Sequence, residues 1–270
     1  MKIFVISPSF IEDRRIYITN HLDKRLLDYE IIDVDQNKLF NELSYKFLKD
    51  GMLAGGMRGS EAACAAAHLS VYENIINGND KCALVVEDDV ILPEGICDIL
   101  VELEKHVKEN EVITLYSASL KKAEYSSLGQ EKLNCGKLIY PMKARYLRTT
   151  AAYVIGRKVA EAIYNINIPV SYRADSWNRF FHESDVESFN KIRLLYPIIV
   201  RLECFESSLG YTENTLLESF KKIGNKFFAF KGLLRIKRKV VFWKRRNNIN
   251  FVKRLSPIMS GNRNSSYKSQ

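Results

Sequence analysis

The residues best equipped for chemistry are Glu87, Asp88 and Asp89, three consecutive carboxylates set directly after the apolar run Cys82-Ala-Leu-Val-Val86. Adjacent carboxylates repel one another, so such a cluster is relieved either by a hard divalent cation, which takes oxygen ligands, or by full hydration. A metal and phosphate site is one reading of the triplet, and a solvated turn before Pro93 is the other. Arg14 and Arg15 form a second group, two guanidiniums near the start of a helical stretch. They are mildly unfavourable against the helix dipole but well placed to meet a phosphate, with ordinary surface ion pairing as the plain alternative. Glu61, Cys64, Ala65, His68 and Tyr72 recur at three- and four-residue spacing and share one helix face. His68 there points toward the acids, or forms half of a metal site with Cys64, or is simply a hydrogen-bonded helix histidine. Asp175 lies two residues before Trp177 in a loop, as a lone acid or as a helix N-cap.

These groups need a scaffold. Lys2 to Ser7 is apolar and β-branched and predicts a buried first strand, followed by a helical stripe from Ile11 to Leu27 and a second strand from Tyr29 to Asp35. That is a βαβ opening, whose parallel strands send their loops to one edge. An alanine-rich helix from Ser60 to Ile76 stops at Asn77-Gly78, and the acid-bearing run 82–92 reads as a strand buried on both faces. Ligands of open α/β sheets bind at the carboxyl ends of such strands. Pro93 opens an amphipathic helix to Lys108, and Val112–Tyr116 and Thr149–Ile155 read as strands. Residues 117–148 look irregular, with short β-like pieces, and Arg193–Val200 is a last strand-like run. Phe40 to Arg58 has four glycines at its end or just beyond and reads as loop around a short helix.

With 270 residues, 46% of them hydrophobic, the chain can bury a real core and is not disordered. The first apolar run is too short for a signal-peptide core, and no later run reaches membrane-spanning length. Five cysteines without a C-x-x-C pair argue against a disulfide framework and a zinc ribbon, and imply a reducing, cytoplasmic setting. The net charge of +9 is unevenly spread: residues 219–270 carry 15 Lys or Arg and no acid, leaving 26 basic against 32 acidic residues in 1–218. The expected organisation is a catalytic body over 1–218 and a basic amphipathic helical segment over 219–270. Its bulky apolar residues interleaved with cations suit an anionic membrane surface better than nucleic acid.

Several of these stretches together resemble family 25 glycosyltransferases, which include lipooligosaccharide galactosyltransferases. Val5-Ile6-Ser7 with Arg14-Arg15 matches the family opening, and Gly59-Ser-Glu61-Ala-Ala-Cys64-Ala-Ala-Ala67-His68 matches its G-E-x-x-C-x-x-S-H helix, with Ser60 inserted and Ala67 in place of serine. Val85-Val86-Glu87-Asp88-Asp89 matches the strand closing on E-D-D; Ala151 to Ile155 and Pro169 to Trp177 match later segments. The resemblance implies a GT-A-like, Rossmann-type mixed sheet flanked by helices. It also implies inverting transfer of a sugar, commonly galactose from UDP-galactose, to a lipooligosaccharide or lipopolysaccharide acceptor. It implies Mn²⁺ (or Mg²⁺) on Asp89, with Glu87 and Asp88 toward ribose or bound water and with Ser7, Arg14, Arg15 and His68 in the nucleotide-sugar pocket. Asp175 is then the expected base, Glu61 its alternative, and Trp177 a stacking surface for a sugar. Such a protein would sit peripherally on the inner face of the cytoplasmic membrane. The rival readings are a nucleotidyltransferase, which normally has a glycine-rich, lysine-bearing loop where Ser7 to Arg15 has no glycine, and a non-enzymatic RNA- or membrane-binding protein acting through the tail.

Overall fold

The computed structural model describes residues 1–33, 57, 59–118, 124–126, 129–141, 143–183, 192–205 and 252–254. Strand β1 (Lys2–Ser7), helix α1 (Glu12–Asp23) and strand β2 (Glu30–Asp33) form the expected βαβ opening. Helix α2 (Gly59–Asn77) then leads into β3 (Cys82–Glu87). β1 pairs in parallel with β2 on one side and with β3 on the other, so the direction of winding reverses between β1 and β3. In open α/β sheets that reversal point is where ligands bind.

After β4 (Val90–Ile91) come α3 (Ile96–His106), β5 (Val112–Thr114), β6 (Glu124–Ser126), β7 (Glu131–Leu133) and β8 (Gly136–Ile139). β9 (Ala152–Gly156), α4 (Arg157–Ile166), α5 (Trp177–Glu183), β10 (Ile192–Tyr196), β11 (Arg201–Leu202) and β12 (Val252–Arg254) complete the described elements. Eight strands make one sheet in the order β2-β1-β3-β9-β5-β10-β8-β7. β9 runs antiparallel between β3 and β5, and β8 and β7 add an antiparallel edge, so the sheet is mixed. This is the expected α/β architecture.

Alternation along the strands builds two cores. Phe4, Ile6, Ala83, Val85, Tyr153 and Ile155 face α2 and α4, where the buried alanines of α2 allow close approach. Ile3, Val5, Leu84, Val86 and Val154 face the other way, with Ile18 and Leu22 of α1 and Ile96, Leu100 and Leu103 of α3. The end of β9 is closed by Gly156, where any Cβ would come within 2.3 Å of the Glu109 carbonyl oxygen. Nearby, Arg193 of β10 is 2% exposed and joins Glu111, Glu131 and the His106 carbonyl in a buried ion network.

Local expectations shift in several places. Pro93 lies outside α3, which begins after Gly95 in a left-handed conformation (φ 73°). The strand expected from Thr149 begins at Ala152, and Thr149 has φ 77°. The described residues of 117–148 contain three short strands and a 3-10 turn over Ala144–Tyr146. β10 ends before Pro197, which has no N–H to continue the ladder. Most of the tail, and residues 40–56 of the expected loop, lie outside the described residues. Val252–Arg254 is a strand antiparallel to β6 and not the end of a helix.

Candidate active site

The carboxylates emerge at the reversal point, where Ile6 and Glu87 are paired across β1 and β3. Successive residues leave the strand on opposite faces, so Glu87 follows Ala83 and Val85 toward α2 while Asp88 turns toward α1. Arg14, 7% exposed on the third position of α1, reaches across with one nitrogen: Nη2 lies 2.6 Å from Asp88 Oδ1 and 2.9 Å from Asp89 Oδ2. One guanidinium thus serves two acids. The remaining oxygens, Asp88 Oδ2 and Asp89 Oδ1, are buried without a hydrogen-bond partner among the described residues. Burial pushes the Asp88 carboxyl up to about 6, with Arg14 opposing and Glu87 adding to the rise. Asp89 rises to about 7 from burial and from Glu87, again against Arg14. Two orphaned hard oxygens in a cluster of three acids and one cation fit a divalent ion of the Mg²⁺ or Mn²⁺ type. Asp89 has 24% of its side chain exposed, against 4% for Asp88.

On the α2 face His68 is 1% exposed, its Nδ1 2.7 Å from the Tyr153 hydroxyl, which lies 2.9 Å from that of Tyr72. His68 Nε2 stands 3.6 Å from Glu87 Oε1, an ion-pair separation rather than a hydrogen bond. Thr150 donates its hydroxyl to the same oxygen at 2.7 Å. Burial would raise the Glu87 carboxyl, but His68, the Thr150 hydroxyl and Arg14 bring it below the ordinary value. Burial raises the Cys64 thiol well above its usual range, and the negative charges of Glu87, Asp175, Asp88 and Asp89 add to the rise.

Asp175 is half-buried, and its Oδ2 faces the Thr149 backbone N–H at 3.4 Å. It does not cap α5: Ser176 precedes that helix, and its carbonyl receives the Arg179 N–H at 2.7 Å. Trp177 is fully buried, edge-on to Tyr153, with its indole N–H toward the Thr149 carbonyl at 3.4 Å. Its ring is core and offers no surface for stacking a sugar, which corrects the sequence expectation. The alternative base, Glu61, is 5% exposed and pairs with Arg173 at 3.1 Å. Ser7 is buried at the end of β1; its carbonyl accepts a hydrogen bond from Arg15, which also meets Asp33 at 3.1 Å. Arg15 therefore ties β1 to β2, while Arg14 is the one of the two that reaches Asp88 and Asp89.

The sequence reading missed Thr149, Thr150, Tyr153 and Arg173 as parts of this site. Thr149 is a β-branched residue with a left-handed backbone, an uncommon and strained state. It is held by Asp175 at its N–H and Trp177 at its carbonyl.

In an open α/β sheet the winding reversal is the place of a ligand crevice, and here an acidic cluster lines it. The sequence pattern of glycosyltransferase family 25 (LPS biosynthesis protein) matches residues 1–177, and the chain belongs to that family. A Haemophilus influenzae protein described as an inferred glycosyltransferase is 23% identical over 188 residues, covering 67% of this chain and 64% of its own length. The human procollagen galactosyltransferase 2 is 23% identical over 237 residues, covering 79% of this chain and 37% of its own. The chain thus spans less than two thirds of either relative. A solved structure of the galactosyltransferase LgtC with donor and acceptor sugar analogues overlaps with TM-score 0.35 at 8% identity, over 85% of this chain and 97% of that one.

Proposed function

We propose that the chain is an inverting, divalent-cation-dependent glycosyltransferase that moves galactose from UDP-galactose to a lipid-linked oligosaccharide of the lipooligosaccharide or lipopolysaccharide type. The observation that carries this reading is the Arg14 bridge over Asp88 and Asp89, with one buried, unpartnered oxygen left on each acid. Family membership supports the lipopolysaccharide setting, and the human relative's name supports galactose.

Mn²⁺ or Mg²⁺ held by Asp89 beside Asp88 would supply positive charge for the departing nucleoside diphosphate. Arg14 keeps the two acids from repelling one another and presents a cation at the same edge. Thr150 fixes Glu87, so that carboxylate keeps its place when a ligand enters. Inversion needs one carboxylate to take the acceptor hydroxyl proton. Asp175 suits this task better than Glu61, because it is half-exposed and holds a backbone N–H, whereas Glu61 is buried against Arg173. Residues 1–218 form the catalytic body in this proposal, and 219–270 hold it on the inner face of the cytoplasmic membrane. No helix among the described residues is long and apolar enough to cross a membrane.

A thermal-shift series with UDP, UDP-galactose and UDP-glucose, each with and without MnCl₂, tests the reading, since a ligand that binds only the native state raises apparent stability. UDP-galactose should stabilise the protein only when Mn²⁺ is present. No shift with any UDP-sugar plus Mn²⁺ would overturn it.

A further inference from the structure

Glu87 faces away from Asp88, toward Cys64 and His68, one turn apart on α2, to neither of which the proposed transfer step gives a role in the chemistry. The ligating atoms of Cys64, His68 and Glu87 all lie within 4.8 Å of one another. His68 is 1% exposed, and its Nε2, the nitrogen aimed at Glu87, has no hydrogen-bond partner among the described residues. Its other nitrogen is engaged by Tyr153, which Tyr72 holds in turn. That is how metal-bound histidines are oriented: one nitrogen is fixed by an outer partner and the opposite lone pair is left for the ion. Glu87 is likewise steadied by Thr150.

We propose that Cys64, His68 and Glu87 form a second cation site, for a borderline-soft ion of the Zn²⁺ class, on the opposite face of β3 from the Asp88–Asp89 pair. The donor set separates the two sites chemically. Asp88 and Asp89 offer only oxygen and suit a hard ion, whereas a thiolate with an imidazole selects Zn²⁺ over Mg²⁺ or Mn²⁺. Binding deprotonates Cys64, the proton leaving to solvent, and thiolate plus carboxylate then balance the ion's two charges. Three protein ligands leave a fourth position for water or a substrate oxygen, the pattern of an open zinc site. Cys64 is partly buried as a residue. This site does not depend on the glycosyl-transfer reading.

Co²⁺ titrated into the full-length protein, freed of metal with a chelator, is the test, because a cobalt–thiolate bond gives a near-ultraviolet charge-transfer band. The band should grow to one Co²⁺ per chain, disappear in Cys64→Ser, and yield to added Zn²⁺, which binds such sites more tightly. Tyr153→Phe should weaken Co²⁺ affinity by about 10–100-fold, as loss of an outer partner does. Asp89→Asn should keep the band even if it loses Mn²⁺-dependent nucleotide binding, so failure of one reading is distinguishable from failure of the other. In the wild-type chain, Zn²⁺ should slow alkylation of Cys64, but not of the exposed Cys97 and Cys204, as followed by peptide mass. Absence of the band, its persistence in Cys64→Ser, or unchanged alkylation of Cys64 would each overturn the proposal.

Discussion

A single nitrogen of Arg14 lies 2.6 Å from Asp88 and 2.9 Å from Asp89, so one cation balances two acids, one buried and one partly exposed. Arg14→Gln removes that balance. Breaking a buried ion pair from one side costs about 3–5 kcal/mol, and the loss should be largest where both acids are charged. We expect a larger drop in urea-unfolding stability at pH 8 than at pH 5.5, with partial recovery at pH 8 on adding Mn²⁺. An equal drop at both pH values would mean that Arg14 contributes packing rather than charge.

Asp89→Ala should abolish the Mn²⁺-dependent part of UDP binding while the protein stays folded, because the more exposed of the two acids is removed. Calorimetric titration of UDP with and without Mn²⁺ checks this. Unchanged Mn²⁺ dependence would move the cation elsewhere.

The same residue sets a pH trend in the absence of divalent ions. Its folded pKa, about 7, lies above the unfolded value near 3.8. Its contribution is therefore fully present below about pH 3.8 and is lost as the pH rises through 7. The stability of wild type minus Asp89→Asn should fall between pH 5 and pH 8. A flat or rising difference in chemical denaturation would contradict the burial argument.

Asp175→Asn keeps an oxygen for the Thr149 N–H and removes the base. Turnover should fall by about 10² or more with nucleotide affinity nearly unchanged. Near-normal turnover would leave Asp175 as a holder of the Thr149 backbone, and Glu61→Gln would be the next variant to assay.

Replacing Lys237, Arg238 and Lys239 together by Gln in the full chain should weaken flotation with anionic vesicles. Each cation near such a surface contributes about 1 kcal/mol, and wild-type binding should decline as salt is raised. Equal flotation of both proteins would remove these residues from the proposed membrane contact.

Much of the scaffold was legible because burial leaves a pattern: Lys2–Ser7 and Cys82–Glu87 are apolar runs, and the acids at the end of β3 stand out against them. Strand direction leaves no such mark. Periodicity is the same for either orientation, so the antiparallel course of β9 was not readable, nor was the arrival of Thr149 and Thr150 at the site by their position before a strand instead of after it. Trp177 beside an acid reads equally as a sugar platform or a core anchor. Only packing against Tyr153, Phe180 and Phe181 decides for the core. The Glu61–Arg173 pair joins residues far apart in sequence through two loop and helix ends, and no local spacing announces it.

The insertion of β9 between β3 and β5 also has a kinetic consequence. Thr150 meets Glu87, and Tyr153 meets His68, only once a strand more than sixty residues downstream has closed onto β3. Contacts of such sequence separation form late and slowly. During refolding, the contacts of Thr150 with Glu87 and of Tyr153 with His68 should return with the last cooperative phase, and a nascent chain that has only emerged as far as β5 will hold Glu87 and His68 without these partners.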